Sequence, residues 1–161
     1  MCGGPTAAIA SVLVVLLPVV VLSGEPSDLP SRKLTPGARN PGVTEENIAR
    51  TICNPNFSQQ IRPSPSYQAR VKEKLIGEYG YTNKEPKAYQ LDALIPLELG
   101  GMPTDPRNLW PQPIAGAFSA KEKHRLENVL HRRVCSGAMT LDDAQREISE
   151  NWINAYRKYL K

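Results

Sequence analysis

Several things are missing from this 161-residue chain, and each absence removes a class of answer. There is not enough length for two independent hydrophobic cores, so one domain with a tail is the upper limit. No heptad, collagen or 20–50-residue repeat recurs, which removes coiled coils and solenoids. A mean hydropathy of -0.39 excludes a polytopic membrane protein. No cysteine has a C-x-x-C neighbour, which argues against a thioredoxin-like redox centre or a structural zinc site. Aromatic residues are scarce, at 6%, whereas fifteen prolines and eleven glycines give irregular connections a large share of the chain. Twenty basic against sixteen acidic groups leave a net charge of +4, a mild bias towards an anionic partner.

What is present begins with an uncharged stretch from Ala7 to Leu22. Sixteen residues of helix would reach roughly 24 Å, short of the ~30 Å hydrocarbon core, and Pro18 interrupts them. Small residues follow at Ser23 and Gly24. Residues 1–24 are therefore expected to be a secretory signal peptide, although the first six residues carry no Lys or Arg, and a retained N-terminal anchor is the competing expectation. Cys2 would leave with the leader. Cys53 and Cys135 would remain as an even pair in an oxidising compartment, and a disulfide between them is expected.

Residues 25–42 hold Pro26, Pro30, Pro36 and Pro41 with little apolar surface, and are expected to form a flexible linker before a domain at 43–161. Thr44 as an N-cap with Glu45, Glu46, Ile48 and Ile52 predicts a short helix to Cys53, stopped by Asn54–Asn56. Ile61–Pro65 should be extended, because each proline drives its predecessor out of the helical region. Ser66 then opens a helix with Val71, Leu75 and Tyr79 at four-residue steps. Tyr89–Leu99 and Asn108–Trp110 are the extended candidates, with Pro111 and Pro113 as breaks. Ser119 with Glu122, and Thr140 with Asp143, are capping boxes ahead of two apolar stripes. These are Leu126, Leu130 and Val134, then Ala144, Ile148, Trp152, Tyr156 and Leu160. The class is α+β.

One constellation carries chemistry. The segment Tyr89-Gln90-Leu91-Asp92-Ala93-Leu94-Ile95-Pro96-Leu97-Glu98-Leu99-Gly100-Gly101, followed by Pro106-Arg107-Asn108-Leu109-Trp110-Pro111, resembles the HNH, or ββα-metal, nuclease motif. That motif reads Asp-His-x-Ile-Pro-Leu on its first strand and Asn-Leu on its second. More narrowly, the chain is similar to a group of small secreted bacterial HNH-like proteins from about Thr44 to Tyr156. The similarity takes in Thr51-Ile52-Cys53, Ile61-Arg62-Pro63, Tyr79-Gly80-Tyr81, Glu127-Asn128-Val129-Leu130-His131 and Val134-Cys135-Ser136-Gly137.

The resemblance implies a ββα core with a short hairpin and flanking helices, hydrolysing phosphodiesters of DNA or RNA around one divalent ion, Mg²⁺ or similar. It assigns Asp92, Asn108, His124 and Glu127 as metal ligands, with Asn108 and His124 also in catalysis. The departure is Ala93, which stands where the motif places its general-base histidine. Loss of such a base typically costs about 10²–10⁴-fold, so an impaired enzyme is expected.

His124, Glu127 and His131 share one helix face, but two imidazoles seven residues apart are ~10.5 Å along the axis and cannot bind one ion. Arg62, Arg107, Lys121, Lys123 and Arg125 are the candidate phosphate contacts to a nucleic-acid partner. The alternative is a disulfide-stapled secreted binding module without catalysis, directed at an unidentified protein or polymer. Stable membrane association is not expected once the leader is removed.

Overall fold

The structure is a computed structural model and describes Met1 and residues 27–161. Expectations about residues 2–24 of the leader fall outside that range. The chain is α+β: α1 (Phe57–Ile61), α2 (Pro65–Glu78), β1 (Tyr89–Ala93), β2 (Leu109–Pro113), α3 (Ala120–Cys135) and α4 (Leu141–Leu160). Single 3₁₀ turns occupy Glu45–Asn47, Pro86–Ala88, Leu97–Leu99 and Pro106–Asn108. Among the described residues no helix is long and apolar enough to cross a membrane.

The core is built on the two C-terminal helices, as their periodicity predicts. Leu126, Leu130 and Val134 of α3 meet Ala144, Ile148, Trp152 and Tyr156 of α4, all buried, and Leu94, Ile95 and Leu99 from the loop after β1 join them. Thr140 caps α4 by accepting from Asp143 N–H at 3.1 Å. Asn151 leaves helical geometry (φ −165°, ψ 94°), so α4 is kinked rather than continuous. Its side chain accepts from Asn154 N–H and restarts the helix. The expected capping box at α3 is absent: Ser119 makes no side-chain cap, and the Glu122 carboxylate accepts from Arg125 and Tyr156.

β1 and β2 form an antiparallel pair with Asp92 opposite Trp110 and Gln90 opposite Gln112. Pro111 and Pro113 do not break β2, contrary to expectation. The ladder bonds run through the pairs 90/112 and 92/110, flanked by Leu94 N–H to Asn108 C=O and Ile114 N–H to Ala88 C=O. Both prolines therefore sit at the alternate positions, where a backbone N–H would point away from the partner strand. The expected extended stretch to Leu99 stops at Ala93, and a tight loop follows. At Gly101 a Cβ would lie 1.7 Å from the Ile95 carbonyl oxygen, so only glycine closes that loop.

Three further expectations change. The predicted helix over 44–53 is a set of turns. Asn47 uses its side chain on the backbone of Thr44 and Gly42, which competes with helix formation. Pro65 begins α2 rather than continuing an extended run: Ser64 caps Tyr67 N–H, and proline at the first helical position forfeits no bond.

The proposed linker is packed across its described part. Thr35, 1% exposed, donates to Leu109 C=O and meets the Tyr79 hydroxyl. Gly37, Ala38 and Asn40 make backbone hydrogen bonds to Arg107, Met102 and Gly100, and Trp152 Nε1 donates to Asp28 C=O. Poverty in apolar residues misleads here. Backbone pairing supplies the ordering energy, and Pro30, Pro36 and Pro41 reduce the entropy that ordering costs.

Cys53 and Cys135, 82 positions apart in sequence, are joined in a disulfide with Cα atoms 5.6 Å apart. The bond is compatible with an extracytoplasmic location.

Candidate functional site

The end of β1 and the first turns of α3 meet at a cleft of about 180 Å³. Asp92 and Ala93 enter it from the strand, His124 and Glu127 from the helix, and Arg62, Gln68 and Glu98 from the surrounding loops and α2. The strand's alternation places Asp92 on the same side as Trp110, whose Nε1 donates to Asp92 Oδ2 at 3.1 Å.

The hub of the site is Lys123, which is 0% exposed. Its ammonium lies 2.7 Å from Asp92 Oδ2, 2.5 Å from Glu127 Oε1 and 2.8 Å from the Ala93 carbonyl oxygen. All three Nζ hydrogens therefore have acceptors, as a buried cation requires. Glu127 uses its other oxygen, Oε2, on His124 Nδ1 at 3.2 Å. The chain of contacts thus runs from the strand backbone at Ala93 through Lys123 and Glu127 to an imidazole at the cleft.

This arrangement sets the titration of the site. Burial pushes the Asp92 carboxyl up to about 6, partly opposed by the Lys123 charge. Glu127, also buried, is held below the ordinary carboxylate range by Lys123 and by the hydrogen bond from His124. The same bond raises His124.

For Asp92 and His124 the folded value exceeds the unfolded one, so the stabilisation each gives is present at low pH and lost as pH rises through the folded value. For Asp92 the loss between pH 5 and pH 7 is expected to be roughly 1–2 kcal/mol. Urea denaturation at the two pH values should show it, and Asp92→Asn should remove that part of the slope. A stability that rises over this interval would contradict the burial of Asp92.

The residues singled out in the sequence fare unequally. Asp92, His124 and Glu127 converge with Ala93. Asn108 does not enter the cleft: it is 0% exposed, accepts from Ile95 N–H at 2.9 Å, and donates to Ile95 C=O and Met102 C=O at 2.9 and 3.0 Å. Its amide clasps the loop between the strands, with its oxygen and nitrogen both engaged by backbone groups.

Lys123 is internal, so it is no phosphate contact. Arg107 is tied to Asp105 at 2.6 Å, and Arg125 to Glu122 at 2.6 Å and the Tyr156 hydroxyl at 3.1 Å, both away from the cleft. Arg62 borders the cleft in a longer pair with Glu98, 3.5 Å, and exposed Lys121 adjoins His124 in a shallow neighbouring depression.

His131 is elsewhere, with Nε2 2.9 Å from Ile52 C=O and 3.4 Å from Cys135 Sγ. Cys53, His131 and Cys135 are the one group of three potential metal ligands within 4.8 Å of one another among the described residues, but the two sulfurs are spent in the disulfide.

A divalent ion bound by Asp92, Asn108, His124 and Glu127 does not fit this donor set. Asn108 faces the loop, and the ammonium of Lys123 already occupies the point where the Asp92 and Glu127 oxygens converge. The basic run around Lys123 suggests a phosphate contact, whereas the side chain is an internal counter-ion. The available signal was its phase: positions 123, 126, 130 and 134 lie on one helical stripe, which places this lysine among buried leucines.

No family model matches the chain, and no match was found among curated proteins or solved structures.

Proposed function

We propose that this chain is a secreted relative of the ββα (HNH-like) nucleases, directed at nucleic-acid phosphodiesters and impaired as a hydrolase by Ala93. The observation that carries this reading is the convergence of Asp92 and Ala93, at the end of one short strand, with His124 and Glu127, on the helix that follows the second strand, around a single cleft. A strand–strand–helix order with an acidic residue beside the base position is what the resemblance calls for. An alanine there has no group that accepts a proton.

The test is cleavage of plasmid DNA and of single-stranded RNA by the purified chain and by Ala93→His, each assayed with Mg²⁺, with Mn²⁺ and with EDTA. The histidine variant is expected to cut faster by about 10²–10⁴-fold, the usual worth of a general base. Failure of both proteins to cut either polymer under every condition would discard the nuclease reading. The closed Lys123 ion-pair cluster favours one second reading, a disulfide-stapled binding module. Fluorescence anisotropy with labelled nucleic acid separates the two: a binding module for some other polymer leaves the anisotropy unchanged.

A further inference from the structure

His124 is joined to the cleft in an unusual way. Its Nδ1 is fixed on Glu127 Oε2, and Glu127 is fixed in turn by a lysine anchored to the backbone of Ala93, the residue that lacks a base. Among the described residues no group partners Nε2, and the His124 side chain is 66% exposed where it lines the cleft. A carboxylate on one imidazole nitrogen with the other nitrogen free is the arrangement of a base and its orienting group.

Resting on the nuclease reading above, we propose that His124, oriented by Glu127, supplies the base that position 93 does not, and that the site cleaves RNA through its 2′-hydroxyl without a divalent ion. The restriction to RNA follows from the cation. With Lys123 in the place of a metal, nothing in the cluster activates a water molecule as a Lewis acid would. A 2′-hydroxyl needs less help, because it is already held beside phosphorus: intramolecular nucleophiles reach effective molarities of about 10⁵–10⁸ M. DNA offers no such group.

In the step, His124 Nε2 takes the 2′-hydroxyl proton and O2′ forms a bond to phosphorus. The P–O5′ bond breaks, and O5′ leaves with a proton from water, whose hydroxide then recovers the proton from the imidazolium. The products are a 2′,3′-cyclic phosphate and a 5′-hydroxyl, with no net water or redox partner consumed. Arg62, in its long pair with Glu98, and Lys121 beside His124 are the cations placed to meet the phosphate.

The experiment uses the disulfide-intact chain in EDTA on a single-stranded RNA oligonucleotide and on its all-DNA and 2′-O-methyl counterparts. RNA alone should be cut, leaving cyclic phosphate ends. His124→Ala, a change at an exposed side chain, should lower the rate by about 10²-fold or more. Glu127→Gln, shown folded by circular dichroism, should lower kcat with KM unchanged. Equal cleavage by His124→Ala, equal cleavage of DNA, or intact RNA would each overturn the inference. Should Ala93→His cut DNA with Mg²⁺ while the parent leaves RNA intact, this inference fails and the nuclease reading stands. If no protein cuts anything, both fail.

Discussion

Replacing Lys123 with methionine is expected to lower the free energy of unfolding by about 3–5 kcal/mol, the usual consequence of removing one partner from a buried charge cluster. The size comes from what is left behind. Asp92 and Glu127, 8% and 7% exposed, would lose the buried ammonium between them, leaving only the exposed His124 on Glu127, and the Ala93 carbonyl would lose its donor. Methionine keeps most of the volume, so the change reports charge rather than a cavity. Urea denaturation followed by tryptophan fluorescence would measure it, since Trp110 donates directly to Asp92. Adding Asp92→Asn and Glu127→Gln to Lys123→Met should restore most of the loss, because a neutral set no longer buries unpaired charge. A single variant within 1 kcal/mol of the parent would mean that the ammonium is not in this cluster.

Breaking the disulfide should have an effect of similar size by a different route. A crosslink spanning 82 positions removes about 4–5 kcal/mol of denatured-chain entropy in the loop-closure model. It also ties the turns at 48–56, which lie ahead of α1 and have no helix or sheet ladder of their own, to the end of α3. Cys53→Ser with Cys135→Ser is therefore expected to lower the urea midpoint strongly, and a phosphine reductant should do the same to the parent. His131 should become more mobile in the reduced chain, since it rests against Cys135 Sγ and Ile52 C=O. An unchanged midpoint would show that packing of Ile52 against the helical core already fixes this segment.

How much was legible beforehand depends on the range of the forces involved. Local periodicity placed α3 and α4 and their buried stripes, because a 3.6-residue repeat is imposed by the helix itself. It also put Asp92 and Ala93 on a strand. The kink at Asn151 was not visible, since a single asparagine at that phase is compatible with an unbroken helix. β2 was cut short in expectation because proline is read as a breaker. Whether it breaks a strand depends on which way the missing N–H would point, and that is fixed by pairing register.

Two side chains show the remaining gap most clearly. Asn108 was singled out as a ligand and catalytic candidate from the resemblance, and the structure engages its amide with loop backbone instead. Only the return of the 95–102 loop brings the backbone groups that saturate its amide. Lys123 was read as one of several phosphate contacts in a basic run. Its burial needs two carboxylates from separate elements to arrive at one point, and a strand and a helix thirty residues apart cannot announce that meeting in sequence.

The amino-acid sequence by itself determined the α+β class, the two long C-terminal helices and the cysteine pair. All of these follow from composition, local pattern or a short motif. Tertiary structure alone decided that residues 27–42 belong to the domain, that Asn108 serves the loop, and that an internal ammonium stands between Asp92 and Glu127. Each of those depends on hydrogen bonds and charges brought together across long stretches of chain, where the free energy of a polar group is set by its neighbours in space.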